Sequence, residues 1–393
     1  MDDLLERVRA LPCGRRLLEA AAAAGGIHLT GGGVRDLLLG REPRELDVVV
    51  EGDVTGLATR LGDVDAVHER FGTATVRAGD CRWDLAAARS ETYARAGALP
   101  DVRAAGIEED LLRRDVTVNA FALDLRTGAL RAVEHAREDL EAGRLRVLHD
   151  ASFVDDPTRL WRIARYAARL GFELEPRTAR LVAHAVAAGA LETVSRARIG
   201  NELRLALREP DPPAALEVAV ALGLAPWLAP DRQRTTAALA LLPCEEGRAD
   251  LVVLAASLDG GAGDTDRVLA ELEFTAAERE LLHACLQADA LAEAAAMASR
   301  ASELARLLRG VPVEALAIAG AAGAAATVSR WLHEVRSVRL AITGDDLIAA
   351  GVPEGPEIGR RLETTLDRRL DGELEAGRDA ELSAALEVML PGS

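Results

Sequence analysis

A run of three glycines near the start of the chain is followed, after one short helical segment, by two acidic residues. Gly31 to Gly33 free backbone N–H groups at a predicted helix start, where they can cradle phosphate, and Arg35 adds a forked cation beside them. Glu45 and Asp47 lie two residues apart on a predicted strand, 45–50, so both carboxylates are expected on one face. Paired carboxylates next to a phosphate cradle suit Mg²⁺ that bridges nucleotide phosphates. An acidic pair at a solvated strand end is the alternative interpretation.

Two adjacent arginines followed by an acid and an amide form a second group. In the segment EEDLLRRDVTVNA, Arg113 and Arg114 can bind the oxygens of a triphosphate, and Asp115 can orient an arginine. Asn119 can contact a sugar or structure the turn. The string RRD is a weak signal in isolation, so its meaning depends on the glycine and acid group that precedes it.

A third group is a predicted helix with arginines along one side. Asp155 and Asp156 precede Pro157, so we expect the helix to begin there. Apolar residues recur on one side of this helix, and arginines recur on the other at positions 159, 162, 165 and 169. Arginines packed so closely repel one another unless something anionic lies opposite them. The pattern therefore predicts an anionic ligand, with a merely solvated charged face as the alternative.

Together these strings resemble one enzyme family, over roughly residues 25 to 208. GGGVRD, then LLG, then an acidic pair before VVEG is similar to the signature of the class II tRNA nucleotidyltransferases and bacterial poly(A) polymerases, within the polymerase-β-like nucleotidyltransferases. RRDVTVNA resembles the family's RRDFTINA motif, DDPTR its EDxxR motif, and RARIGNE its ERIxxE motif. One departure is Glu45, where the family usually has Asp. Its carboxylate lies one methylene further from the backbone, which bears on the metal geometry.

The resemblance implies a role for each group. Glu45 and Asp47 would be catalytic carboxylates that hold Mg²⁺. A third carboxylate is expected on a neighbouring strand, and Asp84 is the candidate, with a strand-edge acid that touches no metal as the alternative. The residues implied to bind the nucleotide are Gly32, Arg35, Arg113, Arg114, Asp115, Asn119, Asp156, Arg159, Arg162 and Arg165.

Selection of the base would be made by the protein itself. In the family, the residues that match Asp156 and Arg159 read the Watson–Crick edge of CTP or ATP. A carboxylate accepts from the exocyclic amine of C or A, whereas U and G carry a carbonyl oxygen at that position and are rejected. Arg162 and Arg165 would then hold phosphates. From Arg159 to Arg208 there are ten Arg and four Glu, a local charge of +6 in a chain of net charge −17, which indicates where anionic substrate lies.

The resemblance implies an α+β fold. A polymerase-β-like nucleotidyltransferase head, a small mixed sheet with helices, would be followed by an all-α neck, body and tail. The expected divisions are a catalytic head at 1–145, a nucleotide-selecting neck at 146–208, a helical body at 209–330 and a tRNA-binding helical tail at 331–393.

Within the head, local patterns predict three further features. Residues 1–25 are expected to form an amphipathic helix pair or one broken helix, and 71–77 and 81–86 a hairpin around Gly79 and Asp80. The segment 94–107 has loop character. In the family a flexible loop here is needed for the switch from C to A addition. Its ordinary length argues against an enzyme that adds only CC but leaves A-only addition open.

Composition limits the remaining possibilities. The chain has 393 residues and no lysine, so all 47 basic residues are arginine. No uncharged apolar run is long enough to span a membrane, and no signal peptide pattern precedes residue 17, so we expect a soluble, cytoplasmic protein. The four cysteines show no metal-like spacing and are expected as reduced, mostly buried thiols. The histidines suggest no general base, and His149 has no partners for a phosphohydrolase site.

The leading hypothesis is a template-independent enzyme that adds CCA to the 3′ end of tRNA from CTP and ATP by two-metal nucleotidyl transfer, with Mg²⁺ as cofactor. Its partners would be the acceptor arm and 3′ end of tRNA, CTP and ATP, with no membrane, and the protein would be a monomer or homodimer. Within the same class, an A-adding enzyme or a poly(A) polymerase is the alternative. From a different class, the alternative is a catalytically weak RNA-binding protein on the same scaffold.

Overall fold

The computed structural model describes residues 2–68, 72–243, 245–258 and 262–387. They form two compact units, Met1–Pro226 and Trp227–Ser393. The first unit carries a mixed sheet, several helices and every residue singled out above, and the second is built from helices. The α+β class is therefore confirmed. The finer division into head, neck, body and tail stays a prediction.

Eleven strands occur in the described residues, all of them in the first unit. In chain order they are β1 (Ile27–Thr30), β2 (Asp47–Val50), β3 (Asp63–His68), β4 (Thr73–Ala78), β5 (Cys81–Ala87), β6 (Arg89–Thr92), β7 (Asp101–Ala104), β8 (Phe121–Asp124), β9 (Leu130–Ala132), β10 (Arg144–Leu145) and β11 (Glu173–Leu174). Seven form the main sheet, in the order β3-β4-β5-β2-β1-β8-β9. In that sheet β2 and β5 are parallel and the other neighbours are antiparallel. The pairs β6–β7 and β10–β11 form small separate sheets.

Helices surround this sheet and continue after it. Those of the first unit are α1 (Asp2–Ala10), α2 (Gly14–Ala22), α3 (Gly32–Leu38), α4 (Val54–Leu61), α5 (Ile107–Leu112), α6 (Ala136–Glu141), α7 (Ser152–Asp155), α8 (Arg159–Leu170), α9 (Pro176–Ala187), α10 (Arg196–Ala206) and α11 (Pro212–Ala221). Capping residues fix several of the starts: the Asp53 carboxylate accepts from the Gly56 N–H at α4, and Asp211 with Pro212 begins α11. The expected helix pair at the N-terminus and the hairpin around Gly79 are confirmed.

The second unit contains α12 (Arg232–Leu241), α13 (Ala249–Ala256), α14 (Ala262–Glu271), α15 (Ala276–Leu286), α16 (Ala288–Met297), α17 (Ala301–Leu308), α18 (Val313–Ala319), α19 (Ala325–Arg330), α20 (Gly344–Ala349), α21 (Pro356–Leu370) and α22 (Arg378–Glu387). Among the described residues, one helical run, Val313–Val335, is long and apolar enough to cross a membrane by length and composition alone. More than half of its most apolar window is buried against the rest of this unit. That is the pattern of a core helix.

The core sets the register of the strand that carries Asp47. Val48, Val49 and Val50 are at most 4% exposed, whereas Asp47 at the strand start reaches solvent. A shift of this strand by one residue would move Asp47 into the apolar interior in place of Val48, so burial of the valines holds the acid at the sheet edge.

The predicted bounds of one strand, one loop and one helix were wrong. β2 begins at Asp47, so Glu45 lies outside the strand, and the alternation that was to place both acids on one face does not apply to it. The segment 94–107 contains β7, which pairs with β6. The arginine-bearing helix α8 begins at Arg159, because Asp156 has an extended backbone that separates it from the short helix α7.

The prediction of reduced cysteines was wrong for one pair. Cys13, at the start of α2, forms a disulfide with Cys81, at the start of β5, with a Cα–Cα distance of 5.5 Å. The two are 68 residues apart, so no local spacing could reveal that the fold brings them together. Cys285 is a buried free thiol, and burial raises its pKa to about 12. Cys244 lies outside the described residues.

Candidate active site

One cavity in the first unit collects most of the predicted site. It has a volume of about 620 Å³, the size of a small-molecule site, and residues of β2, β4, β5 and α8 contribute to its walls. The predicted residues that line it are Gly32, Asp47, Asp84, Arg113, Arg114, Asp115, Asn119, Asp156, Arg159 and Arg162. The remaining three, Arg35, Glu45 and Arg165, instead line a neighbouring cavity of about 330 Å³, which shares Asp47 and Gly32 with the first.

Two carboxylates meet on adjacent strands of the cavity wall. Asp47 on β2 is aligned with Asp84 on the parallel strand β5, and side chains of aligned residues in neighbouring strands lie on the same face of a sheet. The Thr75 hydroxyl donates a hydrogen bond of 2.7 Å to Oδ1 of Asp84. Burial by the cavity walls raises the pKa of the Asp47 carboxyl, and the negative charges of Glu45 and Asp84 raise it further. The positive charge of Arg114 lowers it.

This arrangement fits a hard divalent cation. Two aligned carboxylates offer the oxygen ligands that Mg²⁺ prefers. Burial, and then the negative charges of Glu45 and Asp84, raise the pKa of Asp47, and a cation between the carboxylates would favour its charged form. Within the described residues no group of three or more His, Cys, Asp or Glu side chains is clustered as a metal site. The protein would therefore supply few ligands, as is usual where substrate phosphates and water complete the shell of Mg²⁺.

A glycine lets two side chains of the cavity region approach the backbone closely. Gly31 has a φ of +67°, and a Cβ there would lie 2.9 Å from Nη1 of Arg114 and 3.8 Å from Oδ2 of Asp47. Any other residue type would be strained here, because it would have to adopt this positive φ and its Cβ would crowd the Arg114 side chain. Nε of Arg114 is buried and has no hydrogen-bond partner within the described part of the chain. The site thus contains a nitrogen donor of Arg114 without an acceptor, and the positive charge of Arg114 acts on the carboxylate of Asp47.

Arg113 and Arg114 are oriented by an acid that the sequence analysis did not select. Asp110, on α5, is fully buried and accepts from Nη2 of Arg113 at 2.7 Å and from Nη2 of Arg114 at 3.0 Å. Nη1 of Arg113 also donates to Glu91 at 3.0 Å. The i,i+3 and i,i+4 spacing of Asp110 to the two arginines is the sequence signal that could have identified it.

Asp115 forms a buried ion pair with Arg162. Its buried carboxylate lies 2.7 Å from Nη2 of Arg162 and accepts from the Tyr166 hydroxyl at 2.9 Å. Burial alone would raise the pKa of Asp115, but Arg162 and the hydroxyl of Tyr166 hold it below its usual value. Asp115 in turn raises the pKa of Arg162, so both groups stay charged. Tyr166 also lines the cavity, although the sequence analysis singled out only the arginines of this helix.

Arg35 and Asn119 form a buried bridge rather than an open phosphate clamp. Arg35 is 2% exposed, and its Nη1 donates to Oδ1 of Asn119 at 2.6 Å while its Nε donates to Asp36 at 2.9 Å. Nδ2 of Asn119 donates to Asp115 at 3.3 Å. The bridge therefore connects the glycine turn to the carboxylate that holds Arg162.

Asp156 and Arg159 line the same cavity, and both are anchored. Oδ1 of Asp156 accepts from the N–H and the hydroxyl of Thr158, at 3.1 and 2.7 Å, and from Nη2 of Arg198 at 2.7 Å. Arg159 is 3% exposed and donates to the Ser152 hydroxyl at 2.8 Å and to the Arg113 carbonyl at 2.7 Å. Both side chains are thus held in place by contacts within the protein.

Acidic side chains of the protein itself pair with the later arginines of α8, Arg165 and Arg169. Arg165 donates to Glu202 at 2.8 Å and to Glu209 at 2.9 Å, and Arg169 makes two hydrogen bonds to Glu209. Burial raises the pKa of Glu202, whereas for Glu209 the hydrogen bonds from Arg169 and Arg165 outweigh burial and lower it. Repulsion along α8 therefore does not by itself require an anionic ligand, and Arg165 lies among acids in the smaller cavity.

Two family models match the chain, the first within the first unit and the second extending a few residues into the second unit. The one described as the poly(A) polymerase head domain matches residues 27–146, and the one described as a probable RNA and SrmB binding site of polymerase A matches residues 171–234. The first match contains the glycine turn and both aligned carboxylates.

Several curated proteins with similar sequences are named tRNA nucleotidyltransferases. The chain is 33% identical over 374 residues to an A-adding tRNA nucleotidyltransferase of Geobacter sulfurreducens, which covers 86% of this chain and 42% of that protein. It is 35% identical over 347 residues to a CC-adding tRNA nucleotidyltransferase of Deinococcus radiodurans, which covers 86% and 82%. The chain spans less than half the length of the first curated relatives it matches.

Solved structures with this fold agree over nearly the whole chain. The Thermotoga maritima CCA-adding enzyme complexed with tRNA has a TM-score of 0.75 and 27% sequence identity, and the similarity covers 98% of this chain and 97% of that one.

Proposed function

Because this chain belongs to the family of tRNA nucleotidyltransferases and bacterial poly(A) polymerases, we propose that it adds the sequence CCA to the 3′ end of tRNA, taking the nucleotides from CTP and ATP. One observation carries the proposal. The aligned carboxylates Asp47 and Asp84 line the same cavity as Asp156 and Arg159. The residues proposed for nucleotidyl transfer and those proposed to recognise the base therefore line the same cavity.

The carboxylates would hold a divalent cation, for which Mg²⁺ is the proposed ion, with Glu45 close enough to add its charge. When bound, the cation would activate the 3′ hydroxyl of tRNA and stabilise the leaving pyrophosphate. The protein's own contribution is positional. Arg114 and Arg162 are held by Asp110 and Asp115, so their donors are in place before the phosphates arrive.

The choice of base would lie with Asp156. Its Oδ1 is occupied by Thr158 and Arg198, and Oδ2 has no hydrogen-bond donor within the described part of the chain. A carboxylate oxygen in this position would accept a hydrogen bond from the exocyclic amine of C or A and would repel the carbonyl oxygen of U or G. Arg159 lies beside it with N–H donors left over for a ring nitrogen or carbonyl.

Addition of A alone is the second candidate. It is favoured by the names of the first three curated relatives, each an A-adding tRNA nucleotidyltransferase. C and A carry the same exocyclic group, so the residues that read the base are expected to be alike in both activities.

Incubation with divalent cation, CTP and ATP, one of them labelled, and tRNA that lacks CCA, ends in CC or ends in CCA separates these candidates. Addition of all three nucleotides to the shortest tRNA supports CCA addition, and addition of A only to tRNA that ends in CC supports the second candidate. Addition of CC without A would place the chain with the Deinococcus relative, and repeated A addition would make it a poly(A) polymerase. No incorporation into any tRNA would contradict the proposal and leave an RNA-binding protein on this scaffold.

A further inference from the structure

A threonine of β4 lies beside one of the two aligned carboxylates. Thr75 is paired directly with Asp84 across the antiparallel strands β4 and β5, and its hydroxyl donates to Oδ1 of Asp84 at 2.7 Å. On the other side of β5, Asp84 is aligned with Asp47 of β2. Because paired residues of neighbouring strands point to the same face, the three side chains form one row across the sheet, and all three residues line the larger cavity.

The hydrogen bond makes the two oxygens of Asp84 different. Oδ1 accepts from Thr75 and lies 3.5 Å from Nη2 of Arg82, in an exposed ion pair that contributes little. Oδ2 has no hydrogen-bond donor within the described residues. Thr75 is half-buried and β-branched, so its side chain has restricted rotation and holds the carboxylate in one orientation. Asp84 thus offers a single unengaged oxygen.

The number of oxygens that a carboxylate offers affects which cation it can hold. Ca²⁺ takes about six to eight oxygen ligands and accepts one or both oxygens of a carboxylate, whereas the smaller Mg²⁺ requires a nearly ideal octahedron. A carboxylate with one oxygen already engaged supplies a single ligand, which suits the smaller ion. Loss of the Thr75 hydroxyl would free both oxygens of Asp84 and remove this restriction.

We infer that Thr75 is a positioning residue that makes the carboxylate centre prefer Mg²⁺ to a larger divalent cation such as Ca²⁺, because it engages one oxygen of Asp84. The inference rests on the proposed function, since it concerns a carboxylate that would hold the cation. Selectivity between these ions depends on ligand number and on the rigidity of the site. The hydrogen bond from Thr75 limits both at Asp84.

Cation binding measured without turnover tests the inference. The full chain is titrated with Mg²⁺ or Ca²⁺ by calorimetry, together with a CTP analogue that has a methylene group between its α and β phosphates, so that no nucleotide is transferred. In Thr75→Val we expect the ratio of the Mg²⁺ to the Ca²⁺ dissociation constant to rise at least about tenfold, as for loss of one hydrogen bond to a charged group. In assays of nucleotide addition with Mg²⁺, Ca²⁺ should become a correspondingly stronger inhibitor.

Three further variants separate the effect of the hydroxyl from effects on folding. Thr75→Ser keeps the donor and should keep the wild-type ratio. Thr75→Ala removes the donor without adding bulk, and it takes the place of the valine variant should that one fail to fold. Thr59→Val is the matched control: it removes an exposed hydroxyl of α4 that donates to the Thr55 carbonyl at 2.9 Å, and it should leave the ratio unchanged. The melting temperature is measured for each variant.

The results distinguish failure of this inference from failure of the proposed function. A wild-type ratio in both Thr75→Val and Thr75→Ala, equal weakening of both ions, or the same shift in Thr75→Ser would overturn the inference, while nucleotide addition by the wild-type chain leaves the proposed function intact. Absence of nucleotide addition by the wild-type chain would instead remove the proposed function, and this inference with it.

Discussion

Asp110, Asp115 and Ser152 show how the cavity is organised at the scale of single residues. Each is buried, and each fixes an arginine that lines the cavity: Asp110 fixes Arg114, and Asp115 fixes Arg162. Ser152 accepts from Arg159 and so fixes the first arginine of α8. Groups held in this way lose little freedom when a charged substrate binds, so their interactions are available to the transition state.

Replacement of either aligned carboxylate should abolish the reaction without unfolding the protein. For Asp47→Asn and Asp84→Asn we expect kcat for nucleotide incorporation to fall at least about a hundredfold, because each substitution removes an anionic ligand of the cation. Circular dichroism and the melting temperature should be unchanged. Asp65→Asn, on β3 and paired only with Arg77 in the described structure, is the matched control and should keep full activity. Near-normal activity of Asp84→Asn would show that Asp84 is not the third carboxylate.

Asp156 should control the choice of nucleotide rather than the rate with the correct one. In Asp156→Ala and Arg159→Ala we expect incorporation of UTP and GTP to rise relative to CTP and ATP by about tenfold or more, because the first variant loses the acceptor that rejects carbonyl oxygens and the second loses the donor beside it. Competition assays with all four nucleotides measure the ratio. Full discrimination in Asp156→Ala would mean that another residue reads the base.

At the scale of elements, α8 spans two environments. Its first turn contributes Arg159 and Arg162 to the larger cavity, and its later turns contribute Arg165 and Arg169 to the smaller one. Both of these later arginines donate to Glu209, in the connection between α10 and α11. Arg44 also lies 4.0 Å from Glu209. This acid therefore anchors the later part of the helix and, through it, the direction of the first turn.

Loss of Glu209 should destabilise the first unit in a way that depends on pH. Hydrogen bonds from Arg169 and Arg165 lower its pKa below the ordinary value of 4.5 despite burial, so the carboxylate's contribution is fully present above about pH 5 and is lost as the pH falls through the lowered pKa. Glu209→Gln should reduce the free energy of unfolding by about 3 kcal/mol at neutral pH, and by less near pH 3. Urea denaturation at several pH values measures the difference.

The exposed Glu173→Gln, on β11, is the control for that measurement and should change little at any pH. An effect of Glu209→Gln that stays constant down to pH 3 would mean that packing, and not the ion pairs, explains the loss.

The elements also show what the sequence could reveal. Strong local signals were sufficient for the glycine turn, the hairpin around Gly79 and the helix pair at the N-terminus. The predicted start of α8 was wrong because an acid before Pro157 reads as a helix cap, whereas Asp156 in fact accepts from Thr158 and Arg198 in an extended conformation. The resemblance correctly led to Asp84 as a neighbour of Asp47, but the contacts of Glu209 and Arg198 join residues far apart in the chain, and no periodic pattern encodes such pairs.

At the scale of the whole molecule, the covalent link between Cys13 and Cys81 joins the N-terminal helices to the strand that carries Asp84. A crosslink stabilises chiefly by restricting the unfolded chain, and for a loop of 68 residues the effect is about 4 kcal/mol. Reduction with dithiothreitol, or Cys13→Ser, should therefore lower the free energy of unfolding by up to about this amount.

Calorimetry with and without reductant measures that effect, and Cys13→Ser provides its own control because reductant should then have no further influence. Mass spectrometry of the untreated protein should find these two thiols without their hydrogens. Equal stability of the oxidised and reduced wild-type chain would contradict the prediction.

The parallel alignment of β2 with β5 has a consequence for how this family can change over time. Because successive side chains of a strand alternate between faces, a single residue inserted between Cys81 and Asp84 would turn the acid to the opposite side of the sheet, whereas two inserted residues would restore it. Natural variants with altered length in this stretch should therefore differ by even numbers. Whether the number of inserted residues is even or odd, more than which residues are inserted, would then decide which family members stay active.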